Sequence, residues 1–167
     1  LWDVGIYPIS YFQFLMGKPP EQVLGSQQVG DSGIDEIFAG QLWFQESSAQ
    51  EVFAQFSSSF KTPFHTFVEI VGTKGRLYIS HPFNNLSRKS EITFTNHKGK
   101  VKKLHPQKRS LYLGEVEDLE SAILDGTTPL IGLEESRNHI RTVLALYRSA
   151  RTGKQVLLDD LRQGIED

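Results

Sequence analysis

The chain has 167 residues, 38% of them hydrophobic and 23% charged, with a net charge of −2 at pH 7. That length buries roughly 70% of the unfolded surface, enough for one complete core, and a single domain is the default. The near-neutral balance gives no case for nucleic acid or an anionic membrane. No run approaches the roughly 18 apolar residues of a membrane span, and the lack of cysteine excludes disulfides and thiolate chemistry.

The chain opens on LWDVGIYPISYFQFLMGKPP. Ile9, Phe12 and Leu15–Met16 recur at helical spacing, which predicts a helix with one buried face. Gly17 stands where a helix ends in a left-handed residue, and Pro19-Pro20 forbid continuation. So ordered a segment at the very start is unusual and, with no initiator Met, predicts a piece of a longer polypeptide. From Glu21 to Val29 a short strand leads into the turn Gly30–Gly33. Ile34–Gln45 alternates as a strand, with Phe38, Leu42 and Phe44 on one face and Ile37, Ala39 and Trp43 on the other.

Glu46–Gln50 reads as a turn and Glu51–Ser58 as a strand. Thr66–Val71 and Arg76–Ser80 flank Gly72-Thr-Lys-Gly75, a hairpin signal because glycine supplies positive φ. His81–Asn85 breaks the pattern before two weaker strands, Glu91–Thr95 and Lys100–Leu104. Successive hairpins of this kind predict a largely antiparallel sheet.

The last third is helical. Tyr112–Leu124 carries Leu113, Val116, Leu119 and Ile123 on one stripe, and Gly126 stops it. Glu134–Arg151 carries Ile140, Val143, Leu144 and Tyr147, with acids first and arginines last, as the helix dipole favours. Val156–Leu158 adds a short strand, and Asp159–Asp167 is a polar tail. The expected fold is α+β: an open, mostly antiparallel sheet of about five to seven strands, with two or three helices on one face. So few helices leave one sheet face uncovered. Trp43, Phe53 and Tyr78 are expected to line it as a partner surface, unless the register is off by one residue and those aromatics face the helices.

Several stretches, in order, carry a family resemblance: D-V-G-I-Y-P-I-S (Asp3–Ser10), L-M-G-K-P-P (Leu15–Pro20), I-D-E (Ile34–Glu36), V-G-T-K-G-R-L-Y-I (Val71–Ile79) and H-P-F (His81–Phe83). Y-L-G-E-V-E-D-L-E-S-A-I-L-D-G (Tyr112–Gly126) and the closing run Ser136–Val156 complete the set. The chain resembles the C-terminal domain of the glucose–fructose oxidoreductase/inositol dehydrogenase/MocA (Gfo/Idh/MocA) superfamily of NAD(P)-dependent oxidoreductases. The resemblance implies a domain over residues 1–158 that completes a substrate site and makes oligomer contacts through its sheet. It also implies that NAD or NADP is bound mainly by an N-terminal dinucleotide-binding domain that this sequence lacks. There is no G-x-G-x-x-G here, and the Glu-Lys-Pro segment with the family's catalytic lysine is missing, so the chain alone is expected to be inactive.

The resemblance places the remaining site residues at Asp3 and Tyr7. Asp3 is expected to orient substrate hydroxyls or the lysine. Tyr7 stands where many relatives carry histidine, and it is expected to hydrogen-bond the reacting oxygen or act as acid/base. The substrate implied is a sugar, polyol or related hydroxy compound, in a cytoplasmic homo-oligomer. Two plainer readings stay open: Asp3 as a mere helix cap, and Tyr7 as a core residue. A non-catalytic binding or assembly domain of the same fold is the alternative function. His65, His81, His97, His105 and His139 show no metal-ligand spacing. Lys98–Arg109 carries six basic residues and no acid, and reads as a solvated hairpin edge rather than a nucleic-acid site.

Overall fold

The computed structural model describes residues 1–47, 50–83, 90–106, 110 and 112–161. Parts of the expected turn at 46–50, of the break at 81–85, of the basic stretch at 98–109 and of the tail at 159–167 lie outside the described residues. The structure is α+β, and its elements follow the expected order. They form two compact units, Leu1–Thr62 with Ile131–Asp167, and Pro63–Leu130. The strands divide into two four-stranded antiparallel sheets, where the hairpin pattern had suggested one.

In the first unit, α1 (Ile6–Met16) ends at Gly17, whose φ of 66° needs no Cβ and so closes the helix cheaply. Strands β1 (Gln22–Val29), β2 (Asp35–Ser47) and β3 (Gln50–Ser59) form a meander, and β8 (Val156–Leu157) pairs with the free edge of β1. Helix α3 (Leu133–Thr152) starts with Glu134 and Glu135 in its first turn and has Arg151 in its last. The Gly132 N–H donates to Glu135 Oε2 at 3.0 Å, and Gly153 (φ 67°) closes the far end.

Alternation along β2 sorts its side chains as the sequence predicts. Phe38, Leu42 and Phe44 are fully buried, together with Val23 of β1 and Val143, Ala145 and Leu146 of α3. Each of these side chains larger than alanine stabilises the fold by about 1.5–3 kcal/mol. Helix α3 comes so close to the sheet that a Cβ on Gly25 would lie 2.5 Å from the Leu146 carbonyl oxygen. The backbone contact is sealed by the Gly25 N–H donating to Ser149 Oγ at 2.9 Å. On α1 the buried residues are Ile9 and Gln13, with Phe12 and Met16 packed beside them, while Leu15 is exposed. The side chain of Gln13 is satisfied by α3, donating to Thr142 Oγ1 at 2.9 Å.

The expected stripe on α3 needs correction. Val143 is buried and Tyr147 partly so, but Ile140 and Leu144 are exposed. The buried residues are Thr142, Val143, Ala145, Leu146 and Ser149. Ser149 meets the Gly25 backbone and Thr142 meets Gln13 of α1, and both hydroxyls also bond backbone carbonyls.

The second unit holds β4 (Phe67–Gly72), β5 (Gly75–Ser80), β6 (Ile92–Asn96), β7 (Val101–Leu104) and α2 (Leu113–Leu124). The β4–β5 hairpin turns at Gly72–Gly75 as expected, with Gly75 at φ 146°. Helix α2 buries no residue, and Leu113, Val116, Leu119 and Ile123 are all exposed. No helix among the described residues is long and apolar enough to cross a membrane.

Candidate functional site

Asp3 lies in the turn that leads into α1, and Tyr7 in the first turn of the helix, so both stand at the same end of one element. The helix cap is Gly5, with no side-chain capping bond, which removes the reading of Asp3 as the cap. Tyr7 is 52% exposed, so it is no core residue. At 3.6 residues per turn it sits some 200° round from buried Ile9. The carboxylate and the phenol are thus offered away from the core, while Ile9 and Gln13 anchor the same helix within it.

Behind this pair is a buried polar knot that the spacing gave no hint of. Asp35, at the start of β2, accepts a hydrogen bond from the backbone nitrogen of Leu1 through Oδ2. Through Oδ1 it accepts one from the Tyr147 hydroxyl at 2.7 Å. The Asp35 side chain is only 8% exposed and that of Leu1 is wholly buried. Burial alone raises the carboxyl pKa of Asp35. The bond from the Tyr147 hydroxyl favours the charged form and works against it. Tyr147 is pushed well above an ordinary phenol, first by burial and then by the bond to and charge of Asp35. Its ring packs edge-on to Phe38 at 5.6 Å and against Trp2 at 6.3 Å.

Trp43 and Phe53 face each other across β2 and β3, edge to face at 5.9 Å, on the sheet side opposite the buried Phe38, Leu42 and Phe44. Phe53 is 66% exposed. The alternation therefore has the expected register, and these aromatics do not face α3. Tyr78 is not part of that surface: it belongs to the second sheet, stacked on Phe67 at 5.8 Å. His65 and His81 are also in the second unit. The concavity lined by Lys18, Pro20, Glu21, Asn138 and Arg141 lies by the C-terminal end of α1 and carries both signs of charge.

As for a nicotinamide cofactor, the glycines of the β4–β5 hairpin do not fit as holders of its pyrophosphate. Gly72 and Gly75 terminate paired strands in a hairpin rather than opening a helix, so they offer no helix N-terminus to a pyrophosphate. Among the described residues no three His, Cys, Asp or Glu gather to hold a metal.

Comparison with known proteins agrees with this architecture. The chain is 32% identical over 158 residues to D-xylose 1-dehydrogenase (NADP(+)) 2 of Haloferax volcanii, covering 94% of this chain and 47% of that protein. It thus spans about half the length of that curated relative. Among solved structures, aldose-aldose oxidoreductase from Caulobacter crescentus, complexed with glycerol, superposes with a TM-score of 0.79 at 22% identity, over 93% of this chain and 46% of that one. An oxidoreductase from Agrobacterium radiobacter in complex with NAD+, L-tartaric acid and magnesium does so with a TM-score of 0.75 at 17% identity, over 95% and 49%. These structures share the fold. The family described as "Oxidoreductase family, C-terminal alpha/beta domain" (GFO_IDH_MocA_C) matches residues 1–158. With that match over nearly its whole length, the chain belongs to the C-terminal alpha/beta domain of the Gfo/Idh/MocA oxidoreductases.

Proposed function

We propose that this chain is the substrate-binding and oligomerisation part, over residues 1–158, of a cytoplasmic NAD(P)-dependent oxidoreductase acting on a sugar, polyol or related hydroxy compound. The observation that carries the reading is the exposed Asp3–Tyr7 pair at the start of α1, within a chain of this family. Its relative in Haloferax acts on D-xylose, which supports a carbohydrate-like substrate. The dinucleotide belongs to another part of the polypeptide, and the chain by itself is inactive.

In this reading Asp3 accepts hydrogen bonds from substrate hydroxyls and fixes which carbon is presented. The hydroxyl of Tyr7 bonds the reacting oxygen and helps carry its proton. A carboxylate four residues before a phenol suits a polyol, whose neighbouring hydroxyls need an acceptor and a donor at once. The Trp43–Phe53 contact, with Phe53 exposed on the outer sheet face, supports assembly with a second copy, since exposed apolar patches mark interaction sites. The test is to express the complete polypeptide with Asp3→Asn or Tyr7→Phe and follow sugar oxidation with NAD+ and NADP+. Turnover falls by about 10²–10⁴ if these groups handle the hydroxyl and its proton. Unchanged turnover in both variants overturns the assignment.

A further inference from the structure

We infer that the apolar stripe of α2 is the seat on which this domain receives the part of the polypeptide that lies outside this sequence. The helix has the wrong side outward for water. Val116, Leu119 and Ile123 share one stripe and are 61%, 59% and 71% exposed, with Leu113 and Leu124 exposed beside them. The half-buried residues of α2 are Asp118, Ser121 and Ala122, which at 3.6 residues per turn lie on the opposite side. The loop after the helix folds back over that side. The Leu130 N–H donates to Asp118 Oδ2 at 3.0 Å, and the Thr127 N–H to the Ser121 carbonyl at 3.4 Å. The helix is thus held by its small and polar residues and offers its aliphatic ones.

Two arguments choose the occupant. A helix of 12 residues is marginal in water on its own hydrogen bonds, and in folded proteins the burial of one face supplies the rest. Helix α2 buries none of its residues against the described part of this chain, so its cover comes from elsewhere and has to be permanent. The stripe is also wholly Leu, Val and Ile, without the aromatic and arginine anchors that mark surfaces between separable chains. It has the composition of a core cut in half, and the two halves of a core belong to one polypeptide. This chain is the C-terminal domain of its family and spans about half the length of its relatives, each of which has about as much chain again. The outer sheet face, with its Trp43–Phe53 pair, is the contrasting surface and suits a second copy.

The inference rests on the reading that the complete polypeptide has a second part, and the two are tested separately. The mass of the complete polypeptide decides the first: one no longer than this chain refutes that reading and the docking with it. For the docking, Leu119→Cys and Lys98→Cys are made in the complete polypeptide, and maleimide labelling at each position is followed by peptide mass spectrometry. This chain has no cysteine of its own. Lys98 stands exposed in the β6–β7 turn and is the open reference. Position 119 should label more slowly by about a hundredfold or more, because a covered residue reacts only through local opening. That protection should persist on dilution to the monomer, as read by sedimentation. Protection lost on dilution would mean that a second copy covers the stripe, and equal labelling at both positions would mean that nothing does. Either result overturns the inference. Val116→Cys, one turn earlier on the same stripe, repeats the measurement where Leu119→Cys does not fold.

Discussion

Replacing Gly25 by alanine tests the packing that holds the site's scaffold together. The new methyl would sit 2.5 Å from the Leu146 carbonyl oxygen and 3.0 Å from Phe38 Cζ. The first of these is backbone and cannot swing aside, so α3 has to retreat by about 1 Å to reach ordinary contact. Overpacking of this kind costs about 1–3 kcal/mol. The retreat also stretches the Gly25–Ser149 hydrogen bond, worth about 1 kcal/mol. Against this, alanine restricts the unfolded chain and returns about 0.4–1 kcal/mol. The balance is a loss of about 2 kcal/mol, or a Tm lower by about 4–8 °C for a chain of this size. Urea unfolding followed by tryptophan fluorescence reads it directly, since Trp2 and Trp43 both lie in the first unit. Gly40→Ala is the control: its methyl meets the Phe56 ring and a Leu146 methyl group, side-chain atoms that can turn. It should cost less than Gly25→Ala. Equal costs, or a Gly25→Ala loss below about 0.5 kcal/mol, would refute the argument from backbone approach.

Spectrophotometric titration of the five tyrosines should find Tyr147 ionising last, because burial and Asp35 raise its pKa. The favoured form is the protonated one, so its contribution is complete below about pH 10 and is lost as the pH climbs further, and Tyr147→Phe should flatten that alkaline decline in Tm. Thr142→Val leaves buried Gln13 without its closer acceptor and should destabilise by about 1–3 kcal/mol in the same urea assay. Phe53→Lys, on the outer sheet face at the edge strand β3, should lower the mass seen by sedimentation of the complete polypeptide while leaving its secondary structure unchanged by circular dichroism.

By itself the sequence determined the local elements, because these rest on chemistry within a few residues. Gly17 and Gly153 end their helices in left-handed conformations that only glycine adopts cheaply, and Phe38, Leu42 and Phe44 share a strand face because the side-chain period is two. The ordered motifs from Asp3 to Val156 also made the family legible. Tertiary structure alone decided what depends on pairing between distant segments. Nothing in the hairpin spacing says that β3 and β4 belong to different sheets, which removes Tyr78 from the Trp43–Phe53 face. On α3, periodicity named Ile140 and Leu144 for burial, but Thr142 is buried against Gln13 of α1 and Ser149 against the Gly25 backbone. Asp35 was visible only as part of I-D-E. Its partner Tyr147 lies 112 positions away, and the bulge at Glu36 that turns one towards the other is a property of the β1–β2 register, which no alternation pattern in a single strand encodes.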